Sequence, residues 1–463
     1  MSNRYAVVLA AGQGTRMKSK LHKVLHPVCG KPMVQHVLDT LAAMNVHDVV
    51  VVVGHDAETV KSTLGEGITY ALQEKQLGTA HAVQQAQPFL KDKHGTTLIL
   101  YGDVPLLTPE TLTALIDHHH AQGAAATVMT AHLADPTGYG RIVRDEAGEV
   151  LRIVEHKDAS ETERKIQEIN TGIYCFDNEK MWGVLAQVGN DNVQGEYYLT
   201  DCIELLRQAG EKVTAFILAE PAEASGVNDR VQLAEVEAYM RRRICERHMR
   251  NGVTIVDPAH TYIDSDVTIG ADTIIHPGTY LRGRTQIGAD CVIGPQADLT
   301  DVVIADKVSL SYAVIKGSQV ETEAVVGPYA QVRPGSRIGS KVKVGNFVEL
   351  KNADVGAGSK IPHLSYVGDA EIGESVNIGC GTITVNYDGA VKHKTIVEDH
   401  AFIGCNSNLI APIRVGKHAY VAAGSTVNQD VPADALAIAR ERQVNKLGYA
   451  NKLPRKQGKQ QEN

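Results

Sequence analysis

Residues 269–299 read IGADTI IHPGTY LRGRTQ IGADCV IGPQAD L, so that an aliphatic residue occupies every sixth position. The same period returns in two later blocks. The aliphatic positions are Ile269, Ile275, Leu281, Ile287, Ile293 and Leu299, then Val326, Val332, Ile338, Val344 and Leu350, then Ile403, Leu409, Val415, Val421 and Val427. Runs of this length are far beyond chance for residues as common as Ile, Leu and Val, so the C-terminal half of the chain is a repeat.

A six-residue period fits neither the helical period nor the alternation of an ordinary strand. It fits short strands joined by tight corners, in which each hexad forms one face of a coil and points one aliphatic side chain inward. Glycine follows many of the aliphatic positions, which suits a chain that turns sharply. One hexad cannot bury its own side chain but stacked hexads can, and the pattern therefore predicts a parallel β-helix.

The composition is that of a soluble globular protein. The chain has 463 residues, 43% of them hydrophobic and 22% charged, which is too long for one hydrophobic core and favours about three structural parts. A net charge of −8 gives no reason to expect a nucleic acid or an anionic membrane as a partner. Seven scattered cysteines without a C-x-x-C pair, and the lack of a signal or transmembrane segment, favour the cytoplasm.

Residues 1–228 alternate apolar runs with amphipathic stretches. The runs at residues 5–10, 49–53, 97–101 and 125–131 are nearly continuous in apolar residues, as strands covered on both faces are. Residues 33–44 and 109–122 have helical patterns. We expect a Rossmann-like α/β domain with a mainly parallel sheet, whose ligands bind outside the carboxyl ends of the strands.

The loop after the first strand carries glycines and cations. Gly12 and Gly14 allow backbone N–H groups to approach a phosphate chain closely, and Arg16 and Lys23 can neutralise its charge. On spacing alone, a plain tight turn explains the two glycines equally well.

A larger set of motifs resembles the sugar-1-phosphate nucleotidylyltransferases. The motifs are residues 9–17 (LAAGQGTRM), 23–25 (KVL), 76–80 (QLGTA), 101–105 (YGDVP), 138–141 (GYGR), 155–157 (EHK), 170–172 (NTG), 194–198 (QGEYY) and 226–228 (GVN). They span the first domain in order. The resemblance implies transfer of a nucleotidyl group from UTP to a sugar 1-phosphate, with release of pyrophosphate.

The resemblance also assigns residues to this reaction. Asp103 and Asn228 are expected to hold Mg²⁺ through side-chain oxygens, the ligands that this ion prefers. Arg16 and Lys23 are expected to stabilise the α-phosphate and the departing pyrophosphate. The other expected contacts to the nucleotide and the sugar are Leu9, Ala10, Ala11, Gly12, Gln73, Gly78, Thr79, Tyr101, Gly102, Gly140, Glu155 and Asn170.

Two segments lie outside these patterns. Residues 229–251 are charged and free of glycine and proline, and they predict a long helix that joins a domain of residues 1–228 to one of residues 252–463. Residues 384–394 interrupt the hexads. Insertions in a solenoid become protruding loops, often on the binding face.

Five further motifs extend the resemblance to the bacterial bifunctional uridylyltransferase/acetyltransferases, over essentially the full chain. They are residues 333–335 (RPG), 345–351 (GNFVELK), 363–369 (HLSYVGD), 377–379 (NIG) and 386–389 (NYDG). The resemblance implies a homotrimer and a left-handed β-helix, whereas the general rule for parallel crossovers predicts the opposite hand. It also implies that acetyl-coenzyme A acetylates glucosamine 1-phosphate before uridylyl transfer, giving UDP-N-acetylglucosamine for peptidoglycan and lipopolysaccharide precursors.

The same resemblance assigns residues to the acetyl transfer. His363 is the expected general base for the sugar amine, and Asn386 orients it. The expected contacts to the sugar phosphate are Arg333, Lys351, Tyr366, Asn377 and Lys392. The expected contacts to acetyl-coenzyme A, at a site partly between subunits, are Cys380, Asn386, Tyr387, Cys405, Ala423 and Arg440.

Two cysteines depart from the family pattern. Cys380 stands where alanine is expected, and Cys405 where serine is expected. A backbone contact at position 380 survives the change, but a hydroxyl hydrogen bond at position 405 does not. The tail beyond Arg440 is basic, and disorder is predicted past Pro454.

Three other functions fit parts of the sequence. A single-activity nucleotidylyltransferase whose β-helix binds a regulator does not need His363 and Asn386. A regulatory subunit on the same folds could lose Lys23 and Asp103, but the chain retains both. A β-helix metalloenzyme of the carbonic anhydrase type needs several converging histidines, and no convincing spacing appears among His363, His393, His400 and His418.

Overall fold

The structure, a computed structural model, describes residues 3–454 in two units. One unit ends at Arg247 and also takes in Ile263–Ser265, and the other takes in His248–Tyr262 and continues from Asp266. The tail past Pro454, for which disorder is predicted, lies outside the described residues. No helix within residues 3–454 is long and apolar enough to cross a membrane.

The first unit alternates strands and helices, as its sequence predicts. The strands are β1 Arg4–Ala10, β2 Pro27–Val28, β3 Lys31–Pro32, β4 Asp48–Val53, β5 Thr69–Leu72, β6 Thr96–Tyr101, β7 Ala126–His132, β8 Arg141–Arg144, β9 Val150–Val154, β10 Glu168–Asp177 and β11 Val213–Ile217. The helices are α1 Met33–Ala43, α2 Ala57–Leu64, α3 Thr79–Gln84, α4 Gln87–Leu90, α5 Pro109–Gln122, α6 Asn178–Leu185, α7 Asp201–Gln208 and α8 Arg230–Arg250. Short 3-10 turns lie at Thr15–Met17, Lys23–Leu25, Glu163–Lys165 and Pro221–Ala224.

The sheet of this unit has the strand order β11-β7-β10-β6-β1-β4-β5. β1 pairs in parallel with β4 and with β6, and Tyr5 lies opposite Asp48 and Thr97. β10 runs antiparallel between β6 and β7, and β8 and β9 form a hairpin beside it. The mainly parallel sheet is confirmed, and the antiparallel strand and the hairpin are features that the apolar runs did not identify.

Apolar side chains cover both faces of the sheet. Val7 belongs to the core that packs α3, α6 and α7, and Val8 belongs to the core that packs α1 and α5. This division follows because successive side chains of a strand point to opposite faces. A strand buried on both faces has no polar alternation, which explains the continuous apolar run of β1.

The helix α8 packs along the first unit for most of its length. The N–H of Cys29 donates to Oε2 of Glu237 at 2.7 Å, and Arg243 donates to the carbonyl oxygen of Leu106 at 2.7 Å. Ile244 is only 3% exposed. The helix is therefore more than the connector that its charged sequence suggests.

The repeat region forms a left-handed parallel β-helix. Its strands are β12 Thr254–Ile255, β13 Tyr262–Ile263, β14 Thr268–Ile269, β15 Ile274–Ile275, β16 Tyr280–Arg282, β17 Gln286–Ile287, β18 Val292–Ile293, β19 Asp298–Thr300, β20 Val303–Ile304, β21 Ser309–Leu310, β22 Ala313–Lys316, β23 Gln319–Val320, β24 Val325–Val326, β25 Ala330–Val332, β26 Arg337–Ile338, β27 Lys343–Asn346, β28 Glu349–Val355, β29 Lys360–His363, β30 Tyr366–Ile372, β31 Asn377–Ile378, β32 Ile383–Val385, β33 Thr395–Val397, β34 Phe402–Ile403, β35 Asn408–Ile410, β36 Ile413–Val415, β37 Tyr420–Val421, β38 Thr426–Val427 and β39 Leu436–Ala437. They form an 11-stranded sheet that begins β12-β15-β18 and a 17-stranded sheet that makes up the rest of each coil. Short 3-10 turns lie at Pro258–His260 and Tyr449–Lys452.

The predicted inward positions are the core of this β-helix. Every one of them after Ile269 is at most 5% exposed, and Ile269, near the start of the solenoid, is half-buried. The run of hexads stops at Leu299 because the next inward residue is Ile304, which pairs with Ile287 of the preceding coil. One corner is therefore a residue shorter, and the six-residue period is interrupted although the coil continues.

Asp201, at the start of α7, is a half-buried carboxylate with acidic neighbours. Burial raises the pKa of Asp201 from 3.8 to about 6, and Glu204 and Asp158 add to the shift. Because the pKa in the folded state is the higher one, the stabilising contribution of this group is complete below 3.8 and is lost as the pH rises through about 6.

We therefore predict that Asp201→Asn stabilises the protein by about 1 kcal/mol near pH 8, a value discounted because the group is half exposed, and has little effect near pH 4. Thermal unfolding at the two pH values measures this difference. Asp145→Asn is a control for which the change in stability near pH 8 should have the opposite sign, because a hydrogen bond from Arg207 lowers the pKa of Asp145. An equal effect of Asp201→Asn at both pH values would contradict the argument from burial.

Candidate functional sites

The first candidate site is a cavity of about 240 Å³ at the carboxyl ends of β1, β5 and β6. This is the edge of a parallel sheet where ligands are expected. Ten of the predicted residues line it, namely Leu9, Ala10, Ala11, Gly12, Lys23, Gln73, Gly78, Thr79, Tyr101 and Asp103. Gln76 and Glu196 also line it, and although both lie in motifs quoted above, neither was predicted as a site residue.

The charges in this cavity converge on one point. The ammonium group of Lys23 forms an ion pair with Asp103 and lies 3.4 Å from Oδ1 of Asn228. The N–H of Val227 donates to the carbonyl oxygen of Asp103 at 3.0 Å, which holds the segment of Asn228 against the end of β6. A carboxylate and an amide oxygen thus face the same cation in a nearly buried place, and these two oxygens fit a Mg²⁺ ion.

The wall of the cavity around Gly78 requires glycine. Gly78 has a φ of +120°, and a Cβ there would lie 2.4 Å from the carbonyl oxygen of Tyr197. The N–H groups of Tyr197 and Ala80 hold the two segments together through bonds to Leu77 and Tyr197 of 2.8 and 2.9 Å. Gln73, only 3% exposed, donates to the carbonyl oxygen of Gly78 at 3.2 Å. Hydrogen bonds within the protein therefore hold this wall in place.

Three predicted residues lie together where β8, β9 and β10 meet, namely Gly140, Glu155 and Asn170. The N–H of Asn170 donates to the carbonyl oxygen of Gly140 at 2.9 Å, and a Cβ on Gly140 would lie 3.4 Å from Oε1 of Glu155. Burial is the main cause of a raised pKa at Glu155. The pKa of Tyr101 is raised by burial and then by Glu155 and Asp103. Tyr101 lines the cavity and is near enough to both carboxylates to be affected by their charge.

Two residues that were predicted to contact the nucleotide or its phosphates lie away from the wall of this cavity. Arg16 lies in the turn Thr15–Met17 with an exposed side chain, and it does not line the cavity. Gly102 is buried behind the wall, where its N–H donates to the carbonyl oxygen of Leu9 at 2.9 Å. The structure thus does not place Arg16 on the wall of the cavity that Lys23 lines.

The second candidate site is a column of residues on successive coils of the β-helix. Asn346 pairs with His363, and the N–H of Gly381 donates to the carbonyl oxygen of Leu364 at 2.8 Å, so Cys380 follows His363 on the next coil. The side chains of His363 and Asn346 are joined by a contact of 2.8 Å between Nδ1 and Oδ1.

The column continues through the predicted contacts to acetyl-coenzyme A. Hydrogen bonds of 2.7 and 2.8 Å to the carbonyl oxygens of Cys380 and Cys405 link these corners to the next coils and lead to Ala423. Since paired strands lie about 4.8 Å apart, the column from His363 to Ala423 is about 14 Å long. The side chain of Arg440 passes beside Gly424, at the far end of this column.

Three cationic side chains lie near one another on and beside the neighbouring 17-stranded sheet. Arg333 and Lys351 follow the paired residues Val332 and Leu350 and therefore occupy matching positions on successive coils. The ammonium of Lys351 is the main reason that the pKa of Lys392 is lowered, and Arg333 adds to the effect. Three cations this close favour a bound anion such as a phosphate.

Asp369 holds this group together and was not predicted as a site residue. It accepts a hydrogen bond of 2.5 Å from Nδ2 of Asn386 and lies 3.6 Å from the ammonium of Lys351. Burial raises its pKa, but the hydrogen bonds from Asn352 and Asn386 outweigh burial and lower it. Nδ2 of Asn386 also lies 3.4 Å from the hydroxyl of Tyr366. The motif of residues 363–369 contained the signal, because Asp369 ends it.

The predicted insertion is an ordered loop. Asp388 accepts bonds from the N–H groups of Ala390 and Val391 at 2.8 and 2.7 Å, and these bonds and His393 lower its pKa. Tyr387 is 57% exposed beside it. The loop thus presents an aromatic side chain next to Asn386.

Asn377 is separated from the other predicted contacts to the sugar phosphate. It begins β31 and pairs with Lys360, at the end of β29 opposite to His363. Arg333, Lys351 and Tyr366 belong to the other sheet. One chain does not bring Asn377 to His363.

The four histidines of the metalloenzyme alternative are not grouped in one place. His400 and His418 stack with their ring centroids 4.9 Å apart. His393 bonds to Asp388 at 2.7 Å. Within residues 3–454, no three His, Cys, Asp or Glu side chains are arranged to hold a metal ion together.

Two known families match separate parts of the chain. The family described as nucleotidyl transferase matches residues 5–221, and the family described as bacterial transferase hexapeptide (six repeats) matches residues 266–300.

Similar proteins span the whole chain. The bifunctional protein GlmU of Brevibacillus brevis is 71% identical over 460 residues, which are 99% of this chain and 100% of that protein. Those of a Geobacillus species and of Halalkalibacterium halodurans are 58% and 57% identical, and each match covers 98% of this chain and 99% of that protein. At this identity and coverage, the chain belongs to the family of bifunctional GlmU proteins.

Proposed function

We propose that this enzyme first acetylates glucosamine 1-phosphate with acetyl-coenzyme A. It then transfers UMP from UTP to the resulting N-acetylglucosamine 1-phosphate, which gives UDP-N-acetylglucosamine and pyrophosphate. The observation that carries the proposal is the presence of two separate groups of cationic side chains on one chain, one around Lys23 and one around Lys351, the second of them on the coil next to that of His363.

Incubation with glucosamine 1-phosphate, acetyl-coenzyme A, UTP and Mg²⁺ tests the proposal directly. The products are identified by mass. The absence of UDP-N-acetylglucosamine would overturn it.

The cavity of the first unit suits nucleotidyl transfer. A sugar phosphate that attacks the α-phosphorus of a triphosphate gathers negative charge, so positioning and charge neutralisation dominate the catalysis. Lys23 supplies a cation inside the cavity, and Arg16 can supply another from its exposed turn. Gln73, Gly78 and Thr79 would hold the uracil and ribose, and the group of Glu155 and Asn170 would hold the sugar.

Asp103 and Asn228 would hold Mg²⁺ in this reaction. Both oxygens already face the ammonium of Lys23, so the place favours a cation. When bound, the ion supplies positive charge to the phosphates. Lys23 would then be free to turn from Asp103 toward the triphosphate.

The column on the β-helix suits acetyl transfer. Arg333, Lys351 and Lys392 would bind the sugar phosphate, and Nε2 of His363 would accept a proton from the amine as its nitrogen attacks the thioester carbonyl. The carbon–sulfur bond then breaks, and coenzyme A leaves as the thiolate. The pantetheine chain would lie along the column toward Arg440.

A homotrimer would complete the acetyl transfer site. The separation of Asn377 from His363 supports a site shared between subunits, since a second chain could supply Asn377. Exposed apolar residues such as Phe347 at 57% and Leu447 at 99% would be covered in such an assembly. The seven free thiols, five of them buried, suit the cytoplasm.

We predict that the two activities separate by mutation. His363→Ala should lower acetyl transfer by at least roughly 100-fold and spare uridylyl transfer, because it removes the general base. Asp103→Ala should do the reverse, because it removes a Mg²⁺ ligand. Each activity is assayed with its own substrates. Equal loss of both activities in either variant would indicate misfolding and contradict the assignment.

A second prediction concerns Cys380 and Cys405, the two cysteines that are not buried. A maleimide should suppress acetyl transfer far more than uridylyl transfer, because a bulky group in the column obstructs the cofactor. Saturating acetyl-coenzyme A should protect. The control is the double variant Cys380→Ala, Cys405→Ser. If it lost acetyl transfer to the same extent on alkylation, these thiols would not lie at the cofactor site.

A third prediction is that each unit keeps its own activity when it is produced without the other. Residues 1–250 should retain uridylyl transfer, whereas a fragment ending at Asp229 should be less stable because it loses the contacts of α8. Residues 252–463 should form trimers and retain acetyl transfer. Light scattering gives the mass of each fragment. A fully active monomer of residues 252–463 would rule out a site shared between subunits.

A further inference from the structure

The side chain of Asn346 contacts the expected general base, His363. It ends β27 as His363 ends β29, and the two residues lie opposite each other in parallel strands of adjacent coils. Oδ1 of Asn346 lies 2.8 Å from Nδ1 of His363. Asn346 lies inside a quoted motif, but the sequence assigned it no role.

The backbone after this pair has matching left-handed conformations, which recur at corners of other coils of the β-helix. Phe347 and Leu364 directly follow the two residues and have φ values of +58° and +38°. Bulky residues rarely adopt the left-handed conformation, and such strain persists only where the surroundings impose it. Tyr329 stacks on Phe347 with the rings 5.5 Å apart, which helps to hold this corner. The position of Asn346 beside His363 is therefore set by the packing of the coil.

We propose that Asn346 is a positioning residue for acetyl transfer: its amide oxygen accepts the Nδ1–H of His363 and so keeps Nε2 unprotonated for the amine. This rests on the proposed role of His363 as the base. The proton of the amine passes to Nε2 while the carbon–nitrogen bond forms and the carbon–sulfur bond breaks. The imidazolium then returns the proton to the thiolate of coenzyme A or to solvent.

An amide and a carboxylate at this position would act differently on the ring. The oxygen of either can accept the Nδ1–H, but an ionised carboxylate also favours the protonated imidazole and so moves the working range of the base to higher pH, whereas a neutral acceptor has less effect of this kind. Around His363, Asn346 lies on one neighbouring coil and the thiol of Cys380 follows on the other. The hydroxyl of Ser365 bonds to the backbone carbonyl oxygen of His363 at 2.8 Å and leaves the ring free.

The test uses the full chain with substitutions at Asn346. Asn346→Ala should lower kcat for acetyl transfer by roughly 3- to 10-fold, the worth of one hydrogen bond, with little change in KM for either substrate. Asn346→Asp, which can only accept, should recover most of this activity at high pH. The acidic limb of the pH–rate profile of Asn346→Asp should lie about 1 pH unit higher than that of the wild type, because the carboxylate stabilises the protonated ring of His363.

The matched control is Asn408→Asp. Asn408 is another strand residue on the β-helix whose amide contacts the next coil, at 3.3 Å from Oγ1 of Thr426. Its substitution should leave the pH profile unchanged. Thermal unfolding and the trimer mass from light scattering report on the folding of the β-helix in every variant, and uridylyl transfer should stay at the wild-type level.

His363→Ala separates the two proposals. If it leaves acetyl transfer intact, the proposed base is wrong. If it abolishes the activity while Asn346→Ala and Asn346→Asp keep the wild-type kcat and pH profile, the positioning role is wrong. In the His363→Ala background, Asn346→Ala should have no further effect, and a further loss equal to that of the single variant would also overturn the inference.

Discussion

Parallel strands that pair in register are the constraint on which both halves of the chain depend. In the first unit, the pairing of Tyr5 with Asp48 and Thr97 brings the ends of three strands to one edge of the sheet. The glycine loop and Asp103 meet there although they are far apart in sequence. In the β-helix, the same kind of pairing repeats on every coil, so residues 17 apart such as Asn346 and His363 become neighbours.

Both sites hold charge in places where water is partly excluded. In the first, Lys23 faces both Asp103 and Asn228. In the second, repulsion from Lys351 lowers the pKa of Lys392, and a bound phosphate would relieve that repulsion. Asp369 carries part of the opposite charge and fixes Asn386 at the same time. The proposed chemistry at each site thus begins from charges that the fold has already oriented.

The sequence predicted the regular elements well and the irregular ones poorly. Continuous apolar runs mark β1, β4, β6 and β7, because strands buried on both faces need them. β10 is interrupted by Gly172 and carries the polar Asn170, so its run was not recognised although most of it is buried. The charged surface of α8 concealed its packing, since the residues that contact the first unit are few and spaced along a helix.

Period and motif by themselves determined the β-helix, the nucleotide loop and the family resemblance, because each is a local pattern of residue types. Which side chains touch across coils was decided only by the tertiary structure. Corner lengths differ, as the step from Leu299 to Ile304 illustrates, and the loop between β32 and β33 shifts every later position. The register between coils therefore depends on the lengths of all the preceding corners and not on any short stretch of sequence. For that reason Asn346 and Asp369, which act through their neighbours, emerged only when the coils were stacked.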